Sequence, residues 1–219
     1  MKIKLLCAVC TLWAATFGAA SAAETVSGRR ADFAGEPASA DARYAANWVS
    51  GNDDNQKLPF VIVDKKTARL FVFGPDARLR GSTPVLLGAG VGDHSVADIA
   101  SRDLGSLRVE ERTTPAGRFA SEPGHNLKGE DIVWVDYAAK IAIHRLRPAP
   151  AHERRAQRLA SAVSEDSRIS LGCIVVPVNF YDNVVRPVLG KSYGVVYVLP
   201  ETRSARAMFG SFEVGLNSP

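Results

Sequence analysis

Leu58-Pro59-Phe60-Val61-Ile62-Val63-Asp64, followed after a short gap by Arg69-Leu70-Phe71-Val72-Phe73, is the stretch that decides the fold. Both runs are dense in β-branched and aromatic residues, which suit a pleated and buried surface. Asp64 to Ala68 supplies a turn, so the pair reads as two neighbouring strands. Gly74-Pro75-Asp76 breaks the second run. Further strand signals follow at Pro84 to Gly88, Arg118 to Ala120, Asp131 to Tyr137, Lys140 to His144 and Tyr193 to Leu199. Two helices interrupt the series. His152 to Ala162 is polar and Arg-rich, which predicts a solvated surface helix. Asn179 to Leu189 spaces Tyr181, Val184, Val185, Val188 and Leu189 as a core-facing stripe, with Pro187 expected to kink the last turn. The expected fold class is mainly β (β-rich α+β), as one domain over residues 58–200.

Outside that span the signals change. Met1 to Ala23 has Lys2 and Lys4 ahead of an apolar run from Leu5 to Phe17, then the small-residue site Ala20-Ser21-Ala22. This is the pattern of a cleaved secretory signal, and the apolar core is shorter than the roughly 20 residues that span a bilayer. Export to the periplasm is expected, with secretion as the alternative, and no membrane anchor after cleavage. Residues 24–57 are rich in small and polar types and read as a mobile lead-in, with a short packed turn allowed at Tyr44 to Val49. Residues 201–219 read as a tail.

Hydrophobic residues make up 46% of the chain and charged ones 23%, an ordinary globular balance. The formal charge is +4, and loss of Lys2 and Lys4 halves it. So small an excess gives no reason to expect a nucleic-acid partner. Cys7 and Cys10 fall inside the predicted signal, which leaves Cys173 alone in an oxidising compartment with no partner in its own chain.

Gly88-Ala89-Gly90-Val91-Gly92 opens a long irregular stretch running to Thr113. It fails as a dinucleotide fingerprint, because Asp93 stands where the last glycine belongs and no helical stripe follows. His94 and His125 sit in loops, His152 sits in the polar helix, and no H-x-x-x-H or C-x-x-C pair supports a metal site.

Three motifs remain. Thr114-Pro115-Ala116-Gly117 is a turn delivering a strand, His144 ends an alternating apolar strand, and Ser170-Leu171-Gly172-Cys173 approaches the cysteine through a glycine. In this order they resemble the L,D-transpeptidase catalytic-domain family, a group of cysteine peptidoglycan transpeptidases. The resemblance covers roughly residues 58–200.

It implies a single β-sandwich or barrel-like domain with one or two helices. It also implies Cys173 as nucleophile, His144 as its base, and Ser170 and Gly172 supporting the oxyanion. Peptidoglycan stem peptides would be the partners, and no cofactor or metal would be needed. Two departures stand out. Val175 occupies the place of the family's usual arginine, so Arg145, Arg168 or Arg147 would have to meet a substrate carboxylate. The interval from His144 to Cys173 is also long, the excess falling in a polar insertion from Pro148 to Asp166. The alternative function is a non-catalytic peptidoglycan-binding protein on the same scaffold.

Overall fold

The computed structural model describes residues 29–210. The expected signal segment, Met1 to Ala23, therefore lies outside the described residues. Among the described residues no helix is long and apolar enough to cross a membrane.

The two opening runs form β1 (Phe60–Asp64) and β2 (Arg69–Phe73), paired antiparallel with Phe60 opposite Phe73. β3 (Leu79–Pro84) pairs with β2. On its other side β1 runs parallel to β10 (Gly194–Val198). The sheet continues through β5 (Gly117–His125), β6 (Asp131–Asp136), β7 (Ile141–Arg145) and β9 (Ile174–Val176). Residues 84–88, expected as one strand, divide. Pro84 ends β3, and β4 (Leu87–Gly88) pairs separately with β8 (Arg168–Ser170).

Between them Leu86 exchanges both backbone hydrogen bonds with Val175 of β9, each 2.9 Å long. The chain leaving one edge strand thus seals the other edge, and the eight-stranded sheet closes into a barrel. Closure removes the exposed edge that an open sheet would present.

Alternation along each strand divides the side chains between two faces. Val61, Val63, Leu70, Val72, Val133, Val135, Ile141, Ile143, Ile174 and Val176 point inward. They surround one helical run: α3 (Val178–Phe180), a wider π turn over Tyr181–Val185, and α4 (Arg186–Leu189). Tyr181, Val185 and Leu189 carry the stripe into this core, as its spacing predicts. Pro187 lies within α4, and the irregularity falls before it, in the π turn, rather than in the last turn.

Among the described residues the outer face is covered on one half only. α1 (Ala40–Gly51) lays Ala42, Ala45, Ala46 and Val49 over Phe60, Ile62, Phe71, Phe73 and Tyr197. Ser39 caps it, accepting from the Ala42 N–H at 3.0 Å. The alanines let α1 sit close to a cluster in which Phe60 stacks on Phe73 at 4.7 Å and Phe33 meets Phe73 edge-on at 5.1 Å. The expectation of a mobile lead-in is therefore corrected for residues 29–57, which complete the second core. The expected tail is corrected likewise for α5 (Ala205–Phe209), whose Ala205 is buried there. Among the described residues no helix covers the outer face of β5, β6 and β7, and that bare half carries the cleft.

Candidate active site

The register of β7 on β9 decides the arrangement. These strands are parallel, with Ile143 beside Ile174 and His144 beside Val175. Ile143 and Ile174 face the core, so His144 and Val175 face outward. One step back along the same register, Ala142 and Cys173 also face outward. His144 and Cys173 are then diagonal neighbours on one face, a separation long side chains can bridge. Both line a cleft of about 540 Å³ on the bare half of the barrel. Its floor is Ala142 with Ile132 and Trp134 of β6, and its rim includes His125, Leu127 and Tyr137. Trp134 fits because its diagonal neighbour in β5 is Gly124, where an added Cβ would stand 2.6 Å from the indole. Tyr137 meets that indole edge-on at 5.0 Å.

Cys173 is half-buried on a tightly braced turn. The Ser170 hydroxyl accepts from the Gly172 N–H at 3.1 Å and donates to the Cys173 carbonyl at 2.7 Å. Thr114, fully buried, donates its hydroxyl to the Gly172 carbonyl at 2.8 Å and accepts from the Gly88 N–H at 2.9 Å. Gly172 has φ +128°, and a Cβ there would stand 2.9 Å from the Thr113 carbonyl oxygen. Only glycine fits that approach. Ser170, Gly172 and Thr114 are thus positioning residues. The expectation that Gly172 supports an oxyanion is corrected at its own N–H, which Ser170 already occupies. The Thr-Pro-x-Gly motif gains a physical role as the clamp on the turn that carries Cys173.

The electrostatics differ from those of a preformed ion pair. Burial pushes the Cys173 thiol up, against smaller opposing contributions from the Ala142 backbone and Arg147. The thiol donates weakly to the Lys140 carbonyl at 3.5 Å. His144 is only 7% exposed, and burial lowers its pKa to about 4. Its Nδ1 lies 2.7 Å from the Arg145 carbonyl, which can only accept, so Nδ1 carries the proton and the Nε2 lone pair is left open. At neutral pH the cleft therefore holds a neutral thiol and a neutral imidazole.

This has a consequence for stability. A histidine whose folded pKa lies below its ordinary value near 6.5 favours folding fully above pH 6.5, and that contribution is lost as the unfolded chain takes the proton on the way down to pH 4. The loss expected from His144 alone is about 3 kcal/mol. Urea midpoints measured from pH 7 to pH 4 should fall accordingly, and less steeply in His144→Gln. An unchanged slope in that variant would assign acid sensitivity elsewhere.

No protein-family model matches this chain, and no curated protein matches its sequence. Among solved structures it is similar to the L,D-transpeptidase (residues 123-326) from Xylanimonas cellulosilytica DSM 15894, with 18% identity, 64% of this chain and 60% of that one covered, and a TM-score of 0.37. It is also similar to the catalytic domain of an L,D-transpeptidase from E. faecium, with 17% identity, 65% and 98% covered, and a TM-score of 0.36. A third is the helical cell shape determining protein Pgp2 from Campylobacter jejuni, with 16% identity, 72% and 55% covered, and a TM-score of 0.42. The chain spans less than two thirds of the length of the first and third of these.

Two of the arginines expected to bind substrate are committed elsewhere, and the expectation is corrected. Arg145 donates to Asp131 at 2.8 Å and Asp182 at 2.6 Å, with its guanidinium 4.1 Å from the centre of the Tyr181 ring. It locks the end of β7 to the π turn. Arg168 belongs to a buried cluster with Lys65, Asp93 and Glu201, donating to Glu201 and, at 3.1 Å, to the Lys65 carbonyl. In the same cluster the Lys65 Nζ lies 2.9 Å from Asp93 and 3.2 Å from Glu201.

Val175 is 1% exposed and packs against Leu86 and Leu159. Leu159 comes from α2 (Arg155–Leu159), within the polar insertion, so this segment covers the barrel seam with one apolar contact. Of the residues singled out in the sequence, Cys173 and His144 line the cleft and Ser170 braces the turn beside it. Sequence reading missed Lys65 and Asp93, whose pairing joins residues 28 positions apart. It also missed Trp134 and Tyr137, which carry no motif.

Proposed function

We propose that the protein is an exported cysteine acyltransferase that acts on peptidoglycan stem peptides. The single observation that carries this reading is the parallel register, which turns Cys173 and His144 outward into one cleft. The Cys173 sulfur attacks the carbonyl carbon of a stem-peptide amide while its proton passes to His144 Nε2. The C–N bond breaks, the departing amine takes that proton, and a thioester remains. An amine from a second stem peptide then attacks the thioester, giving up a proton through His144 to the released sulfur and forming an L,D-cross-link. Water in the amine's place gives hydrolysis. The N–H of Cys173 is assigned to the oxyanion, since Ser170 holds that of Gly172.

The neutral resting pair fits a mechanism in which the proton moves only as the carbon–sulfur bond forms. A carbapenem, an acylating mimic for the family resembled, should add once to the folded protein and not to Cys173→Ala, read by intact mass. Absence of any adduct in the unsubstituted protein would sink the proposal. The raised thiol and lowered imidazole pKa values favour one second reading, a peptidoglycan-binding protein without turnover. Retention on sacculi with unchanged muropeptide products would select it.

A further inference from the structure

The cleft has one cation whose partner is exchangeable. Arg147 lies two residues beyond the end of β7 and lines the cleft with Cys173 and His144. Its Nε lies 2.9 Å from Glu130, and the two side chains are 36% and 46% exposed. An ion pair so open to solvent is weak. Glu130 has other support, since the Asn126 amide donates to it at 2.5 Å and the turn is fixed by the Asn126 N–H to the Glu130 carbonyl. The carboxylate therefore stays in place when the guanidinium moves. The neighbouring cations lack this freedom. Arg145 is held by two aspartates, Lys140 donates to the Arg102 carbonyl at 2.6 Å, and Arg155 is paired with Glu153.

We propose that Arg147 is the anion-recognition residue of this cleft, holding a carboxylate on the acyl donor near its scissile amide, while Glu130 occupies the guanidinium until that donor arrives. The proposal rests on the acyltransferase reading and specifies which donors it accepts. A planar guanidinium can receive a carboxylate through two parallel N–H bonds, which Val175 cannot do. Its charge also favours the thiolate over the thiol, in keeping with its influence on Cys173. Glu130 acts as an internal competitor, so a neutral donor gains nothing by displacing it.

The test compares iodoacetate with iodoacetamide, two alkylating agents of nearly equal size that differ in charge, on Cys173 of the full chain. Arg147→Gln is expected to lower the iodoacetate-to-iodoacetamide rate ratio about tenfold, Arg147→Lys to lower it less, and Glu130→Gln to raise it about threefold. The ratio cancels any general change in thiol exposure, so a merely structural role for Arg147 leaves it unmoved. An unchanged ratio in Arg147→Gln overturns the assignment. If the carbapenem adduct still forms in that variant, the acyltransferase reading survives alone. A Cys173 inert to both reagents and to carbapenem removes both.

Discussion

Lys65→Ala is expected to destabilise the fold by about 3–5 kcal/mol, the usual effect of removing one partner from a buried ion cluster. Lys65 is fully buried and its ammonium is met by Asp93 at 2.9 Å, Glu201 at 3.2 Å, the Gly92 carbonyl at 2.5 Å and the Thr114 carbonyl at 2.9 Å. Asp93 also accepts from the Glu201 N–H at 2.8 Å and the Thr202 N–H at 3.1 Å. Hydrogen bonds from Thr202, Glu201 and Lys65 outweigh its burial and hold its carboxyl well below the usual range.

With Arg168 the cluster holds two cations and two anions. Loss of Lys65 leaves a net negative charge where water cannot reach it. Lys65→Met with Asp93→Asn restores neutrality and should recover much of the loss. The urea midpoint checks both variants, and a change under about 1 kcal/mol for Lys65→Ala would mean that water enters the site freely. The same cluster pins Gly92 and Asp93, so hydrogen exchange across residues 93–113 should accelerate in Lys65→Ala.

Val175→Arg is expected to destabilise by about 3 kcal/mol or more and to bring no gain in acylation. Sequence comparison alone suggests the opposite, that restoring an arginine would restore activity. The geometry forbids it. Val175 lies beside His144 in the register, both of its backbone groups seal the seam to Leu86, and its side chain fills the cluster with Leu86 and Leu159. A guanidinium there meets hydrocarbon. Val175→Ile keeps that chemistry and should cost less than about 1.5 kcal/mol. Urea unfolding and the carbapenem acylation rate decide the matter together. A stable Val175→Arg that acylates faster would show that the missing arginine is a true deficit, which Arg147 does not fill.

Much of the barrel was legible because β1, β2 and β10 are buried on both faces and so appear as unbroken apolar runs. β9 escaped notice because Ile174–Val176 is three residues long and adjoins the Ser170-Leu171-Gly172-Cys173 motif. α1 was hidden for a different reason. Its buried stripe is mainly alanine, chosen for close approach to aromatic rings, and alanine gives little amphipathic contrast. The chemistry showed the same division. Cys173, His144 and Ser170 belong to contiguous motifs, whereas the fates of Arg145 and Arg168 depend on acids 14 to 37 positions away in sequence. Local context offered Arg145 and Arg168 as substrate ligands, and the fold pairs both with carboxylates instead.

β7 and β9 run side by side in the same direction, so the chain between them must cross back over the molecule whatever its length. The interval separating His144 from Cys173 is therefore a property of the return path and not of the two side chains. Residues 148–150 on that path are exposed. A reporter domain spliced there would travel as a passenger, leaving the two chemical groups in the spacing that the adjoining strands impose.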